Sequence, residues 1–544
     1  MKRAVCLAIG VALVASSLRA AEPAATWKAS GKNGAVAAGG AEAADAGLTL
    51  LKQGGNAADA AVATIFALSV TDSNLFCFGG EVPILVYDAK RGVVEVLCGL
   101  GEAPRLATRE HFAKSGIPAK GIEPAAVPGQ LDACLTALDR YGTKTFAEAI
   151  APTLKILDQN KRDWHADLAR TIRRLIEAEK ASPNDRRRGL RLVADYFYRG
   201  PIAREIDEWS QANGGLIRFS DLATHTTRVE EPVAADYRGH TIYKCGVWTQ
   251  GPYLLETLKL LEGFDLKSLG HNNPRAIHLE VEALKLGLAD RDIYFADPNF
   301  ASVPIKELLS AKYADLRRPL IDKDHASLAQ RPGDPKTPKA LLDKPDLRSG
   351  LGGPSNDTTT CVVADKFGNV VAATPSGFYG VFAGKTGVKL GTRLQSFNVW
   401  EGHVNCIEPG KRPRITLTPT LVFKNGKPEY AISVAGGDAQ DQTTLQLLTG
   451  VIDFGLTPEQ AVTAPRFLTN HHLGSFRQTP PQLGSLQLDP ALGNSAIQDL
   501  RNRGHQVTLR AGGGSNPVML RIDSQTGELH AAGDPKSRRH AAAY

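Results

Sequence analysis

From residue 323 to residue 357 Asp, Lys, Pro and Gly dominate and apolar side chains thin out, ending in Gly352-Gly353-Pro354-Ser355-Asn356-Asp357. Turn formers without apolar surface to bury predict an exposed, mobile linker. Thr358-Thr359-Thr360-Cys361-Val362-Val363-Ala364 follows at once, then the turn Asp365-Lys366-Phe367-Gly368-Asn369 and a second run from Val370 to Thr374. Branched side chains suit a pleated surface, so a strand pair is predicted to start abruptly at a threonine.

Upstream of this junction, an Ala, Leu and Val-rich stretch from Gly40 to Val70 is broken at Gly54-Gly55. That pattern predicts one helix ending at glycine and a second beginning at Asn56, with Asp59 in its first turn. Ile84 to Tyr87 and Val93 to Leu97 flank Lys90-Arg91-Gly92 as strand, turn and strand. Ile277, Val281, Leu284 and Leu288 recur at helical spacing while Glu280, Glu282 and Lys285 fall on other faces, which predicts an amphipathic core helix. Downstream, Tyr430 to Val434 reads as a strand and Thr443 to Ile452 as a helix, and no internal repeat is found. At 544 residues, one composite α and β architecture accommodates the chain.

Several function classes lose support. The net charge of +7 is mild, and the densest cluster, Asp185-Arg186-Arg187-Arg188, reads as solvated surface, so nucleic acid is not an expected partner. Met1-Lys2-Arg3, the apolar stretch to Ala15 and small residues near Ala20-Ala21 have the parts of a secretory signal, placed at 1–21. Export to a periplasmic or extracellular space follows, with a frayed N-terminal helix as the alternative. That stretch is too short to span a bilayer, and no later one is long enough. The remaining cysteines, Cys77, Cys98, Cys134, Cys245, Cys361 and Cys406, lack CxxC pairing and read as small buried side chains. Gly380 leaves one residue too few before Gly384-Lys385-Thr386 for a P-loop, His471-His472 are adjacent instead of four apart, and no GxSxG elbow occurs. No cofactor and no metal set is expected.

What remains is Thr358. A threonine hydroxyl is a weak nucleophile, but at a chain's N-terminus it carries its own base, the α-amino group titrating near pH 8. Such a residue must be made by cleavage, here between Asp357 and Thr358. Any loop-to-strand junction shares that local look, and the residues alone leave both readings open.

Five ordered blocks of sequence decide between them. Gly54-Gly55-Asn56-Ala57-Ala58-Asp59, Ala126-Val127-Pro128-Gly129, Asp357-Thr358-Thr359 with Val363 to Asn369, Pro409-Gly410-Lys411-Arg412-Pro413 with Thr418-Pro419-Thr420, and Gly436-Gly437 with Ala464-Pro465-Arg466-Phe467 together resemble the gamma-glutamyltranspeptidase family of N-terminal nucleophile hydrolases. The resemblance implies an α+β fold, a four-layer αββα sandwich made by two fragments of one self-cleaved precursor. It assigns 22–357 to a large fragment with the linker at 323–357, and 358–544 to a small one. It also implies that Thr358 attacks an amide carbonyl, that the Gly436 and Gly437 amides stabilise the oxyanion, and that Ser376 contacts the nucleophile. The partner is a small amide or gamma-glutamyl compound such as glutathione.

The chain departs from the family where the glutamyl group would be held. Leu100 stands where an arginine grips the α-carboxylate, Ile415 and Thr416 where paired serines stand, and Phe378 and Ser396 where an asparagine and an aspartate hold the α-amino group. Thr416 keeps one hydroxyl. Arg393 is either a relocated carboxylate partner or a surface residue, and Asp438 and Gln440 either line the pocket or cap the following helix. An acylase or small-acyl (oxamate-type) amidohydrolase on the same fold is the second expectation, and a non-catalytic exported binding protein the third.

Overall fold

The computed structural model describes residues 26–353, 358–377 and 379–544; the expected leader at 1–21, Asp357 and Phe378 lie outside the described residues. Two seven-stranded sheets form the centre. One runs His540–Ala543, Gly34–Ala38, Cys361–Asp365, Val370–Ala373, Val82–Asp88, Val93–Gly99, Arg228–Glu230; the other runs Lys28–Gly31, Leu529–Gly533, Asn516–Ile522, Lys427–Ala435, Thr420–Lys424, His240–Lys244, Val233–Tyr237. All neighbours pair antiparallel.

Alternation along the strands builds the layers. In Cys361–Asp365, Val362 and Ala364 pack between the sheets against Leu421, Ala431 and Leu520. Cys361 and Val363 face the other way, onto helices that include Ala57–Thr71 and Gln130–Tyr141. The second sheet turns Val422, Ile432 and Met519 outward against Pro252–Leu261, Pro274–Tyr294 and Ala439–Ile452. The result is helix, sheet, sheet, helix, the four-layer sandwich that the resemblance implied.

The helix beginning at Asn56 forms as expected: its side chain accepts from Ala58 and Asp59 N–H, and Asp59 accepts from Asn56 N–H, a capping box. Asp59 is fully buried because it also accepts from Thr143 and Lys144 N–H, which locks this helix to the chain after Tyr141. The hairpin around Gly92 is present, with Val82–Asp88 paired to Val93–Gly99. Cys77, Cys98, Cys134, Cys245, Cys361 and Cys406 are buried free thiols.

Three expectations change. Strand pairing starts at Cys361, not at Thr358. Thr358 has φ +92°, a region that a β-branched side chain rarely enters, so it sits in a strained turn leading into the strand. The helix Pro274–Tyr294 is buried almost all round, Glu280, Glu282 and Lys285 included. Glu282 and Lys285 survive burial by pairing: Glu282 takes Lys285 Nζ at 2.6 Å and Arg331 at 2.9 Å. For the same reason the linker is fastened over part of its length. Gly333 N–H donates to Asp290 at 2.7 Å, Arg317 donates to the Arg331 and Ala340 carbonyls, and Gly350 and Gly352 N–H donate to the Gln478 and Arg477 carbonyls.

Candidate active site

Thr358 enters the first sheet, while Gly436-Gly437 leaves the second at the end of Lys427–Ala435 and opens the helix Ala439–Ile452. Both glycines have positive φ, 140° and 58°, so the chain can turn sharply here without a side chain in the way. A Cβ at Gly436 would stand 3.1 Å from the Gly514 carbonyl. Among the described residues, neither glycine N–H donates to a protein acceptor, whereas both carbonyls accept, from Ala439 and Gln440 N–H at 3.1 Å.

Gln440 joins the two turns. Its amide lies 3.3 Å from Thr358 Oγ1. Oriented so that its NH2 donates to the Thr416 and Val434 carbonyls, at 2.8 and 3.1 Å, it presents its carbonyl oxygen to the threonine hydroxyl. Two carbonyls can only accept, so this orientation follows from the donor inventory. Thr358 itself is fully buried, its N–H reaching the Leu75 carbonyl at 3.3 Å. Its neighbour Thr359 donates from Oγ1 to Asp72 at 2.5 Å and from N–H to the Pro375 carbonyl at 2.9 Å.

Around this centre the expected residues divide. Thr416 gives its carbonyl to Gln440, and its buried Oγ1 has no partner among the described residues. Ser376 is buried and accepts from Arg393 Nη2 at 2.8 Å. Arg393 is no surface residue: it is 2% exposed, and its Nε donates to Glu81 at 2.6 Å. The pair is neutralised, so the arginine braces Ser376. Asp438 occupies the N-cap position of Ala439–Ile452 without a capping bond; it takes Arg291 Nη1 at 2.7 Å and the Ser475 hydroxyl at 2.6 Å. Burial opposes its ionisation, yet Arg291, His472 and Ser475 hold the carboxyl down at about 2. Leu100 and Ile415 are fully buried between the sheets and present nothing to a ligand.

Arg291 was not singled out from sequence, although the run Asp290-Arg291-Asp292 inside a long helix signals a buried ionic group. Its guanidinium, fully buried, also donates to Gln250, Asp292 and the Leu473 carbonyl. Arg414 lies beside it, and burial together with the Arg291 charge brings Arg414 down to about 10. Beyond this network a pocket of about 230 Å³ opens beside Gly436, lined among others by Asp438, His472, Gln482 and Arg510. His278, Glu282 and His505 bring ligand-type atoms within 4.8 Å of one another. The histidines bond each other at 2.9 Å and Glu282 is committed to Lys285 and Arg331, so the cluster is a hydrogen-bonded ionic knot with two cations already in place.

Comparison with known proteins places this geometry. Residues 43–160 and 164–544 match the family model described as Gamma-glutamyltranspeptidase. The chain is 31% identical over 530 residues to the glutathione hydrolase-like YwrD proenzyme of Bacillus subtilis (strain 168), covering 91% of this chain and 95% of that one. It is 31% identical over 547 residues to the acylase ACY 1 proenzyme of Pseudomonas sp. (strain SE83), with 91% of each covered. The solved structure of cephalosporin acylase from Bacillus halodurans is similar at a TM-score of 0.80 and 28% identity, covering 98% of this chain and 99% of that one.

Proposed function

This chain belongs to the gamma-glutamyltranspeptidase family of hydrolases, and from that premise we propose that it is a self-processing amide hydrolase with Thr358 as nucleophile. The observation that carries the reading is one buried hydroxyl: a threonine at φ +92°, held by Gln440, which is preceded in the chain by two glycines whose N–H groups have no acceptors among the described residues. In processing, Thr358 Oγ attacks the Asp357 carbonyl, the amide becomes an ester, and water cleaves the ester to free the Thr358 amine and the Asp357 carboxylate. The unusual φ raises the energy of the uncut junction and is relieved on cleavage.

In turnover the freed α-amino group accepts the Thr358 hydroxyl proton as Oγ attacks the donor's amide carbonyl. The Gly436 and Gly437 N–H groups receive the oxyanion. The same amine returns the proton to the leaving nitrogen, and water then hydrolyses the threonyl ester. Gln440 orients the hydroxyl but cannot act as base, since an amide oxygen is not basic at neutral pH. Ser376, braced by Arg393, and the free hydroxyl of Thr416 line the approach, and Asp438 anchors the helix that carries Gln440. The large fragment is 22–357 and the small one 358–544, and the leader at 1–21 directs export. Hydrolysis is favoured over transfer.

For the acyl donor, gamma-glutamyl compounds such as glutathione are the first reading, in line with relatives named glutathione hydrolases. The acylase reading is favoured by a specific observation: Leu100 and Ile415, at positions where the family grips a glutamyl group, are sealed in the core.

Intact mass and N-terminal sequencing of the purified protein test the mechanism. Two fragments are expected, the smaller beginning Thr358-Thr359-Thr360, and Thr358→Ala should give one uncut, inactive chain. A wild-type protein that stays whole supports the binding-protein reading instead, and cleavage in Thr358→Ala removes the nucleophile assignment.

A further inference from the structure

The arginines around the site are almost all spent. Arg291 is paired with Asp292 and Asp438, Arg393 with Glu81, Arg414 with Asp292, and Arg466 with Asp534. Arg510 is different. Among the described residues it has no carboxylate partner, it is exposed, and it lines the pocket beside Gly436. Among the described residues the other carboxylate or basic side chain on that wall is Asp438, whose charge is already matched by Arg291 and the Ser475 donors. Arg510 also stands close to the reacting centre. Its Nη1 lies 2.9 Å from where a Cβ on Gly514 would be, and the Gly514 carbonyl lies 3.1 Å from where a Cβ on Gly436 would be.

Two more features point to a ligand. His472, 4% exposed, lines the same pocket, and its Nε2 has no hydrogen-bond partner among the described residues. Its Nδ1 lies between an Arg291 N–H at 3.3 Å and the Leu473 carbonyl at 3.2 Å, so in either tautomer Nε2 is a buried polar atom left to meet a ligand. The rest of the wall is polar, with Asn470, Gln482 and Gln487 contributing amides. Gly353, which lines the pocket, precedes Asp357 in the chain, so it belongs to the part of the precursor that serves as acyl donor in self-cleavage.

We propose that this pocket receives the anionic end of a carboxylate-bearing acyl group, with Arg510 as the fixed positive charge that replaces the grip missing at Leu100. This rests on the amide-hydrolase reading for the reaction but not for the binding. A guanidinium meets a carboxylate with two parallel donors and keeps its charge at any working pH, which suits it to orient a short dicarboxylic chain while the far carbonyl reaches Thr358. The preferred donors are then monoamides of dicarboxylic acids, gamma-glutamyl compounds among them, and uncharged acyl groups of equal length are poorer.

The test compares glutaryl-p-nitroanilide with valeryl-p-nitroanilide in wild type, Arg510→Met and Arg510→Lys. Arg510→Met should lower the glutaryl-to-valeryl ratio of kcat/KM at least tenfold, mostly through KM, and Arg510→Lys should restore part of it. A ratio that does not move overturns the proposal, as does an equal loss on both donors. Calorimetry of the same proteins with glutarate, and with glutaric diamide as neutral control, reads binding without chemistry. Glutarate binding that Arg510→Met weakens at least tenfold upholds the site even if no anilide is hydrolysed, in which case the amide-hydrolase reading is what fails. Wild type that binds glutarate no better than the diamide overturns the site whatever the hydrolytic activity.

Discussion

Gln440 shows how much of a site can hang on one side chain. Its NH2 is committed to two main-chain carbonyls, so its oxygen has a fixed position, 3.3 Å from the threonine hydroxyl. Gln440→Met keeps the volume and removes all three bonds. Self-cleavage and kcat should both fall roughly 10- to 100-fold with little change in KM, because the lost contact orients the nucleophile and not the substrate. The buried Thr416 and Val434 carbonyls left without a donor should also lower stability by about 1–3 kcal/mol. Timed denaturing gels, steady-state rates and thermal melts check the three parts separately. An unchanged processing rate would remove Gln440 from the mechanism.

Among the elements, the helix Pro274–Tyr294 carries the clearest dependence on pH. Glu280 is 4% exposed, one of its oxygens lacks a partner among the described residues, and burial pushes its carboxyl up to about 8 despite a Thr449 hydrogen bond. A raised folded value means that the neutral form is favoured by folding. The contribution is therefore complete below the unfolded value of about 4.5 and is lost as pH rises toward 8. Glu280→Gln, neutral at every pH, should leave the melting temperature near wild type at pH 5 and raise it at pH 9, by an amount worth a few kcal/mol; an equal shift at both pH values would contradict the assignment. The same helix marks where sequence reading stops. Its 3.6-residue period was legible in Ile277, Val281, Leu284 and Leu288, but that period cannot say whether Glu282 meets water or a partner 49 residues on, and Arg331 is that partner. Local signals fared well where the physics is local, as in the helix start at Asn56 and the Gly92 turn. The strand start was misplaced because Thr358 to Thr360 have strand-forming side chains but a main chain bent by φ +92° at Thr358. Arg393 and Arg510 had opposite fates that no local pattern encodes, since each was decided by whether a distant carboxylate, Glu81 in one case and none among the described residues in the other, lies within reach.

At the level of the whole molecule, strands from both sides of residue 358 are mixed within each of the two seven-stranded sheets. Gly34–Ala38 lies between Cys361–Asp365 and His540–Ala543, and Thr420–Lys424 is zipped to His240–Lys244. A cut at residue 358 therefore severs one bond while leaving two shared cores intact. The processed protein should elute in size-exclusion chromatography as one species of the uncut mass and separate into two bands only on a denaturing gel; fragments that part under native conditions would contradict this interleaving. The interleaving also changes what unfolding means. For the uncut chain, refolding is a first-order search within one molecule. After the cut it becomes a second-order encounter between two pieces, neither of which holds either seven-stranded sheet complete, and its rate falls with dilution. An enzyme matured this way is folded for the duration of its kinetic barrier and not by an equilibrium it can return to once its fragments have drifted apart.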